Sequence, residues 1–354
     1  MSKYIANGLP WQSGIGTKVT DCTTAREVME KAGLDFNVDK CELVAQMPFS
    51  LNGDNSVSET MGEFSHNGNI YRPCPNAFAT YRTDKNVPLG LVKAKYEVIQ
   101  NMDAFNFFDD AIGPDKAIWQ TAGMFGYGER IFISAKLPIT TTVKGDPIEN
   151  YLVFSNSHDG SSSINIMFTP IRVICTNMLN AALKSADCYI RIRHTKSAQE
   201  RLQTGADILR IACQYAETTQ QLYESLTTIK MSDEEVMKYL ADLCLTDKEI
   251  EALNLFDNKL GYKKLLAKDY LTIERTGISI RKANQITSMF EYYLDGIGQK
   301  EIAGNAWGAY NAVTGYYSNV ANLTGATRMN SLLYGGANSN MMKALNSVVD
   351  YTAA

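Results

Sequence analysis

The chain has 354 residues, enough for two or three domains, and its 45% hydrophobic and 20% charged residues are typical of a folded globular protein. A net charge of −4 excludes an overall basic field. The sequence contains no run of about 18 apolar residues, so no membrane span is predicted. The N-terminus lacks the apolar stretch of a signal peptide, and the seven cysteines form no CxxC pair, so we predict a cytoplasmic location.

The first elements alternate between a helix and strands. Thr23 or Thr24 can cap a short helix that Gly33 ends. Strand signals cover residues 35–50, and the polar segment 51–69 predicts a mobile loop or insertion. Further along, we predict a strand over 78–82, a turn at 85–90, a strand over 91–99 and a helix over 101–111.

Residues 117–137 form the clearest hairpin, because two β-rich arms flank the turn sequence GYGE. The β pattern continues through 139–157, and SSSINIMF alternates strictly until Pro170 closes the last arm. We therefore predict an antiparallel sheet of five or more strands, with a helix over 176–186 packed on it and a further strand in YIRIRH.

The pattern becomes helical from residue 197 onward. A long amphipathic segment is followed by two capping boxes, Ser232 with Glu235 and Thr246 with Glu249. The prediction is an α+β fold: a curved antiparallel sheet with packed helices in residues 1–196, and a mainly helical domain in residues 197–354.

Basic residues concentrate in two segments, although the whole chain is acidic. Residues 172–201 hold six bases against two acids, and residues 258–290 hold seven against two. In the strand YIRIRH, alternation places Arg191 and Arg193 on one face, where they can follow a phosphate backbone. A solvated strand face with ordinary ion pairs is the alternative. The predicted nucleic-acid contacts are Arg172, Tyr189 as a stacking residue, Arg191, Arg193, His194, Lys196, Lys263 and Lys264.

The stretch SNSHDGS contains the second group of candidate residues, Asn156, His158, Asp159 and Ser161. Neighbouring residues point apart, so His158 and Asp159 cannot by themselves form a Ser-His-Asp relay. Turn residues dominate the stretch, which favours a structural loop held by the histidine. Phosphate contact and catalysis are the alternatives. The chain has only three histidines and no metal-binding spacing, so we predict no cofactor and no metal.

Several motifs together resemble one family. They are LPWQSGIGT, the tract YRTDKNVPLG to FNFFDDAIG, TAGMFGYGERIFISAKLP, YLVFSNSHDGSSSINIMF and NAWGAYNAVTGYY. From about residue 8 to residue 350 the chain is similar to the phage/plasmid-like family, a domain of unknown function (number 932). The chain departs from the family pattern at Gln12, where the family often has His, at the added Ser13, and at Gly315, where an acid is common. The resemblance implies a setting in phages, plasmids and integrated mobile elements.

Three functions fit these features. The first is a nucleic-acid-binding accessory protein of a phage or mobile element, acting as an oligomer in single-stranded DNA binding or annealing. The second is a non-enzymatic interaction protein with an anti-defence or assembly role. The third is a hydrolase or metal-dependent enzyme that uses the SNSHDGS loop. We expect single-stranded nucleic acid and a second copy of the chain as partners, and no membrane.

Overall fold

The computed structural model describes residues 3–12, 14–47, 62–105, 118–178, 189–198, 200, 207–256 and 270–350. Antiparallel sheets occupy the N-terminal half and helices occupy the C-terminal half, which confirms the predicted α+β class. The strands are β1 (Gly16–Lys18), β2 (Val38–Met47), β3 (Phe64–His66), β4 (Asn69–Arg82), β5 (Val87–Lys93), β6 (Ile118–Phe125), β7 (Arg130–Val143), β8 (Asp146–Ser157), β9 (Ile164–Arg172), β10 (Asn177–Met178) and β11 (Tyr189–Ile192).

The larger sheet has seven antiparallel strands in the order β1-β6-β7-β8-β9-β10, and β11 pairs with the first part of β9. Both of its faces are buried. Successive residues of β7 show this: Phe132 joins one core, while Ile131 and Ile133 join the other. The same alternation continues along β8 and β9, and all nine residues of β9 are buried. The sheet is therefore a central layer between two hydrophobic cores.

The smaller sheet consists of β2, β4, β3 and β5, and it covers one face of the larger sheet together with the helix α1 (Ala25–Ala32). Thr24 caps α1 by accepting the Glu27 amide, and Gly33 ends it in the left-handed conformation. Both boundaries match the prediction. One part of the predicted insertion at 51–69 is strand, because β3 pairs with β4. Residues 51–61 lie outside the described residues.

Helices cover the other face of the larger sheet. They are α2 (Asp207–Thr228), α3 (Asp233–Cys244), α4 (Asp247–Phe256), α5 (Tyr270–Arg275), α6 (Ile280–Asp295), α7 (Ala306–Gly315), a π-helix (Tyr316–Val320), α8 (Gly325–Leu333) and α9 (Gly336–Asp350). The capping box of α3 is present as predicted, with Ser232 and Glu235 bonded reciprocally. All ten residues of α7 are buried, so this helix forms the centre of the helical half.

Several strand boundaries differ from the prediction. Strand β4 begins at Asn69 rather than at residue 78, and β5 ends at Lys93 rather than at residue 99. Strand β9 continues through Pro170 to Arg172, and β5 begins at Val87 within the predicted turn. The start of the predicted helix over 101–111 is helical from Asn101 to Phe105, and the remainder lies outside the described residues. Of the predicted helix over 176–186, the described part contains the short strand β10 instead.

One hydrophobic core joins the two halves of the chain. It contains Trp11, Phe132 and Tyr151 from the first half together with Trp307 and Tyr310 from α7. The predicted change from strands to helices near residue 197 is thus not a boundary of this core, and the division into two domains stays a prediction. Within the described ranges, the helices are all too short or too polar to cross a membrane.

Candidate functional site

The SNSHDGS loop connects β8 to β9 and is bound to the smaller sheet. The Thr80 hydroxyl donates to the His158 carbonyl at 2.6 Å, and the Tyr96 hydroxyl donates to the Ser157 carbonyl at 2.7 Å. Gly90 of β5 lies so close to the Asp159 backbone that a Cβ there would overlap it. The loop is therefore fixed at the junction of the two sheets.

His158 holds this junction from inside. Its ring is fully buried, and Nε2 lies 2.8 Å from Asn101 Oδ1. The Asn101 amide nitrogen donates to the Leu34 carbonyl, so Oδ1 is the acceptor and His158 Nε2 carries the proton. Burial lowers the pKa of His158 to about 3, and nearby His194 contributes to this shift. His158 is thus neutral at neutral pH.

We expect this buried histidine to make the protein acid-sensitive. Its pKa is about 3 in the folded state and about 6.5 when unfolded, so the unfolded chain binds the extra proton between these values. The stabilisation is complete above pH 6.5 and decreases by about 1.4 kcal/mol per pH unit as the pH falls toward 3. Urea unfolding across this range should show a shallower pH dependence in His158→Gln. The exposed His66→Gln serves as control, and equal slopes in wild type and His158→Gln would contradict the assignment.

Asp159 organises the serines at the surface of the loop. Its Oδ1 accepts the hydroxyls of Ser157 and Ser161 and the Ser161 amide. Arg130 donates to the Ser161 hydroxyl oxygen through Nε at 3.1 Å and Nη2 at 2.9 Å. Burial alone raises the pKa of Asp159, but the hydrogen bonds from Ser157 and Ser161 together lower it below its ordinary value. A carboxylate with a lowered pKa is a weak general base, which gives the hydrolase alternative no support.

A groove of about 490 Å³ lies beside this loop. One wall is the serine turn that follows Asp159, and the other is the end of β11 with the segment after it. We call it the basic groove. Its lining residues are Lys95, Tyr96, Gly160, Ser161, Ser162, Ser163, Arg191, Arg193, His194 and Thr195.

The basic groove combines positive charge with hydroxyl groups. Lys95, Arg191 and Arg193 are exposed, and none of the lining residues is acidic. The rings of Tyr96 and His194 stack at the groove, with centroids 4.5 Å apart. Burial lowers the pKa of His194, although its hydrogen bond to the Glu97 carbonyl opposes this effect. An anion entering the groove would therefore meet two guanidinium groups, an ammonium group and several hydroxyl donors.

The structure brings together part of the predicted nucleic-acid set. Arg191, Arg193 and His194 line the groove, and exposed Lys196 follows them closely in the chain. Tyr189 begins β11 opposite Met167 in the strand register. Its predicted stacking role stays a prediction. Lys263 and Lys264 lie outside the described residues.

Arg172 does not belong to the groove, so its predicted phosphate contact is corrected. Its side chain is fully buried and forms an ion pair with Asp146. Nη2 donates to the Gly298 carbonyl at 2.9 Å. The guanidinium is thus enclosed between β9, the start of β8 and the chain after α6, where a nucleic-acid phosphate cannot reach it.

The predicted ligand loop divides in the same way. Asn156 and His158 are buried, and Asn156 Nδ2 donates to the Ile99 carbonyl at 3.1 Å. Ser161 lines the groove, and Asp159 orients it from behind. Some lining residues were not predicted from the sequence, because their positions depend on long-range contacts: Lys95, Tyr96, Gly160, Ser162, Ser163 and Thr195. Serines next to a turn glycine were the one sequence signal for Ser162 and Ser163.

The part of the chain that the structure describes contains no cluster of metal-ligating side chains. No group of three or more His, Cys, Asp or Glu side chains there could hold a metal ion. Among the described contacts, none joins His158 to a serine hydroxyl, since Nε2 bonds to Asn101 and Nδ1 has no partner.

Comparison with known proteins identifies the family of the chain. Neither the curated proteins nor the solved structures contain a match to this chain. A family profile, described as "Domain of unknown function (DUF932)", matches residues 88–345. This range covers most of the chain, including the SNSHDGS loop, the end of β11 and the buried helix α7. The chain therefore belongs to the DUF932 family.

Proposed function

We propose that the protein binds single-stranded nucleic acid through the phosphate backbone, which lies in the basic groove. The observation that carries this proposal is the meeting of Lys95, Arg191 and Arg193 with a serine turn in one recess that has no acidic lining residue. Guanidinium groups and hydroxyls are the side chains that commonly bind phosphate oxygens. The local positive charge exists although the whole chain carries −4.

A single strand suits this recess better than a duplex. The cations and hydroxyls lie on the walls of a groove, where a flexible backbone can follow them, and the stacked Tyr96 and His194 rings adjoin them. The phage and plasmid setting of the family resemblance agrees with an accessory role in DNA handling. Oligomer formation and strand annealing extend the same proposal.

We expect the double variant Arg191→Gln/Arg193→Gln to weaken binding of labelled single-stranded DNA. Each lost phosphate contact removes about 0.7 from the slope of log K against log salt, so the double variant should lose about 1.4. Fluorescence anisotropy at several salt concentrations measures both affinity and slope. The exposed pair Arg26→Gln/Lys248→Gln changes the net charge equally and should keep the wild-type slope.

Two outcomes would contradict the proposal. The first is an absence of single-stranded DNA binding by the wild-type protein at low salt. The second is equal weakening by both double variants, because only general charge would then be responsible. Tighter binding of duplex than of single-stranded DNA would reject the single-strand assignment. Size-exclusion chromatography with and without DNA tests the oligomer.

A further inference from the structure

A second cavity lies in the helical half, away from the residues of the basic groove. It has a volume of about 330 Å³ and lies between α3, α6, α7, the π-helix and α9. This volume is at the lower end of the range for small-molecule sites. The lining residues are Leu243, Cys244, Ser279, Arg281, Lys282, Gln285, Met289, Val313, Tyr317, Asn340 and Lys343.

Three cations from two helices surround this cavity, and no acidic residue lines it. Arg281 is exposed and has no carboxylate partner among the described residues. Lys343 donates to the Leu243 carbonyl at 2.9 Å, which uses one of its three N–H groups. Lys282 pairs with Glu249 at 2.7 Å. With Glu249 included, the group keeps two positive charges, and like charges gathered at a cavity favour an anion.

Tyr317 supplies a hydroxyl donor to the same cavity. The residue is 8% exposed, and its oxygen accepts Gln285 Nε2 and Asn340 Nδ2, each at 2.8 Å. With both acceptor positions occupied, the phenol proton has no acceptor within the described part of the chain. Burial raises the pKa of Tyr317 well above its ordinary value, so this proton is present at neutral pH.

Apolar side chains complete the cavity. Leu243, Met289 and Val313 lie among the polar groups, and burial raises the pKa of the Cys244 thiol to about 11, so this residue is uncharged. Pockets of this kind, apolar with a few polar groups, bind small molecules with one anchoring group. In the first turn of α6, the Ser279 hydroxyl already accepts the Lys282 amide.

We propose that this cavity binds a small phosphate monoester with an apolar portion. The dianionic phosphate contacts Arg281, Lys343 and the Tyr317 hydroxyl, and the apolar portion contacts Met289 and Val313. Phosphate is favoured over carboxylate because its charge of about −1.5 to −2 at neutral pH matches the two positive charges that remain. This site is separate from the basic groove and does not depend on it.

Isothermal titration calorimetry with phenyl phosphate tests the proposal. We expect saturable binding that weakens about tenfold in Arg281→Gln, which loses a charge-assisted contact, and about fivefold in Tyr317→Phe, which loses one donor. Lys300 is exposed outside the cavity, so Lys300→Gln should bind as the wild type does. Thermal unfolding of each variant confirms that it is folded.

Three results would overturn the proposal. They are absence of phenyl phosphate binding, equal affinity of Arg281→Gln and wild type, and benzoate binding as tightly as phenyl phosphate. The groove variant Arg191→Gln/Arg193→Gln should keep full affinity for phenyl phosphate, while Arg281→Gln should keep full affinity for single-stranded DNA. A loss of phenyl phosphate affinity in the groove variant would likewise reject the assignment to this cavity.

Discussion

Gly315→Ala should destabilise the protein by about 3 kcal/mol, at the upper end of the cost of overpacking a core. Gly315 ends α7 against the buried ring of Tyr292, and a Cβ there would lie 2.7 Å from Tyr292 Cδ1 and closer still to Cε1. A Cβ on Gly296 would also lie 2.6 Å from Cδ1 and Cε1 of the same ring, so Tyr292 packs against glycine backbone from two parts of the chain. Urea unfolding followed by circular dichroism gives the free energy of unfolding.

Gly336→Ala is the matched control. Gly336 begins α9, and a Cβ there would meet nothing within 4 Å. This substitution should leave stability unchanged or raise it slightly, since alanine restricts the unfolded chain. A loss in Gly315→Ala no larger than the change in Gly336→Ala would show that Tyr292 has room to rotate.

Asp146→Ala should cost about 3–5 kcal/mol, because it leaves a buried guanidinium without its counter-charge. Arg172 is fully enclosed, and Asp146 is 8% exposed. The remaining partners of Arg172 are the Gly298 carbonyl and the Cys175 sulfur at 3.6 Å, neither of which carries a compensating charge. Thermal and urea unfolding of the variant measure the loss.

Removal of both charges distinguishes the contribution of the ion pair to stability from the contribution of side-chain packing. Asp146→Ala combined with Arg172→Met should recover much of the loss, since an apolar side chain of similar length needs no counter-charge. A double variant as unstable as Asp146→Ala alone would show that the cost comes from the space vacated by the aspartate. Single-stranded DNA binding should survive in the double variant, because Arg172 is outside the basic groove.

Local features of this fold were predictable from the sequence. The cap at Thr24, the end of α1 at Gly33 and the capping box of Ser232 with Glu235 depend on neighbours within a few residues. The hairpin around GYGE was predictable for the same reason, because turn and strands are adjacent in the chain.

Burial and convergence were not predictable in this way. The alternation in β9 indicated one covered face, yet helices more than 35 residues later cover the second face. Arg172 looked like a surface cation because its partner Asp146 comes from the far end of the neighbouring strand β8. The groove forms only when Lys95 reaches the serines after Asp159 and the end of β11, contacts that a local pattern does not contain.

The sheet enclosed on both sides has a consequence for how the chain can be divided. A truncation at the change from strands to helices would remove the helices that cover Phe132, Tyr151 and Met167. One face of the sheet would then expose a large hydrophobic surface to solvent. Such a surface promotes aggregation during synthesis, before the C-terminal helices have been translated. During translation, the nascent chain therefore passes through a stage at which it is prone to aggregation.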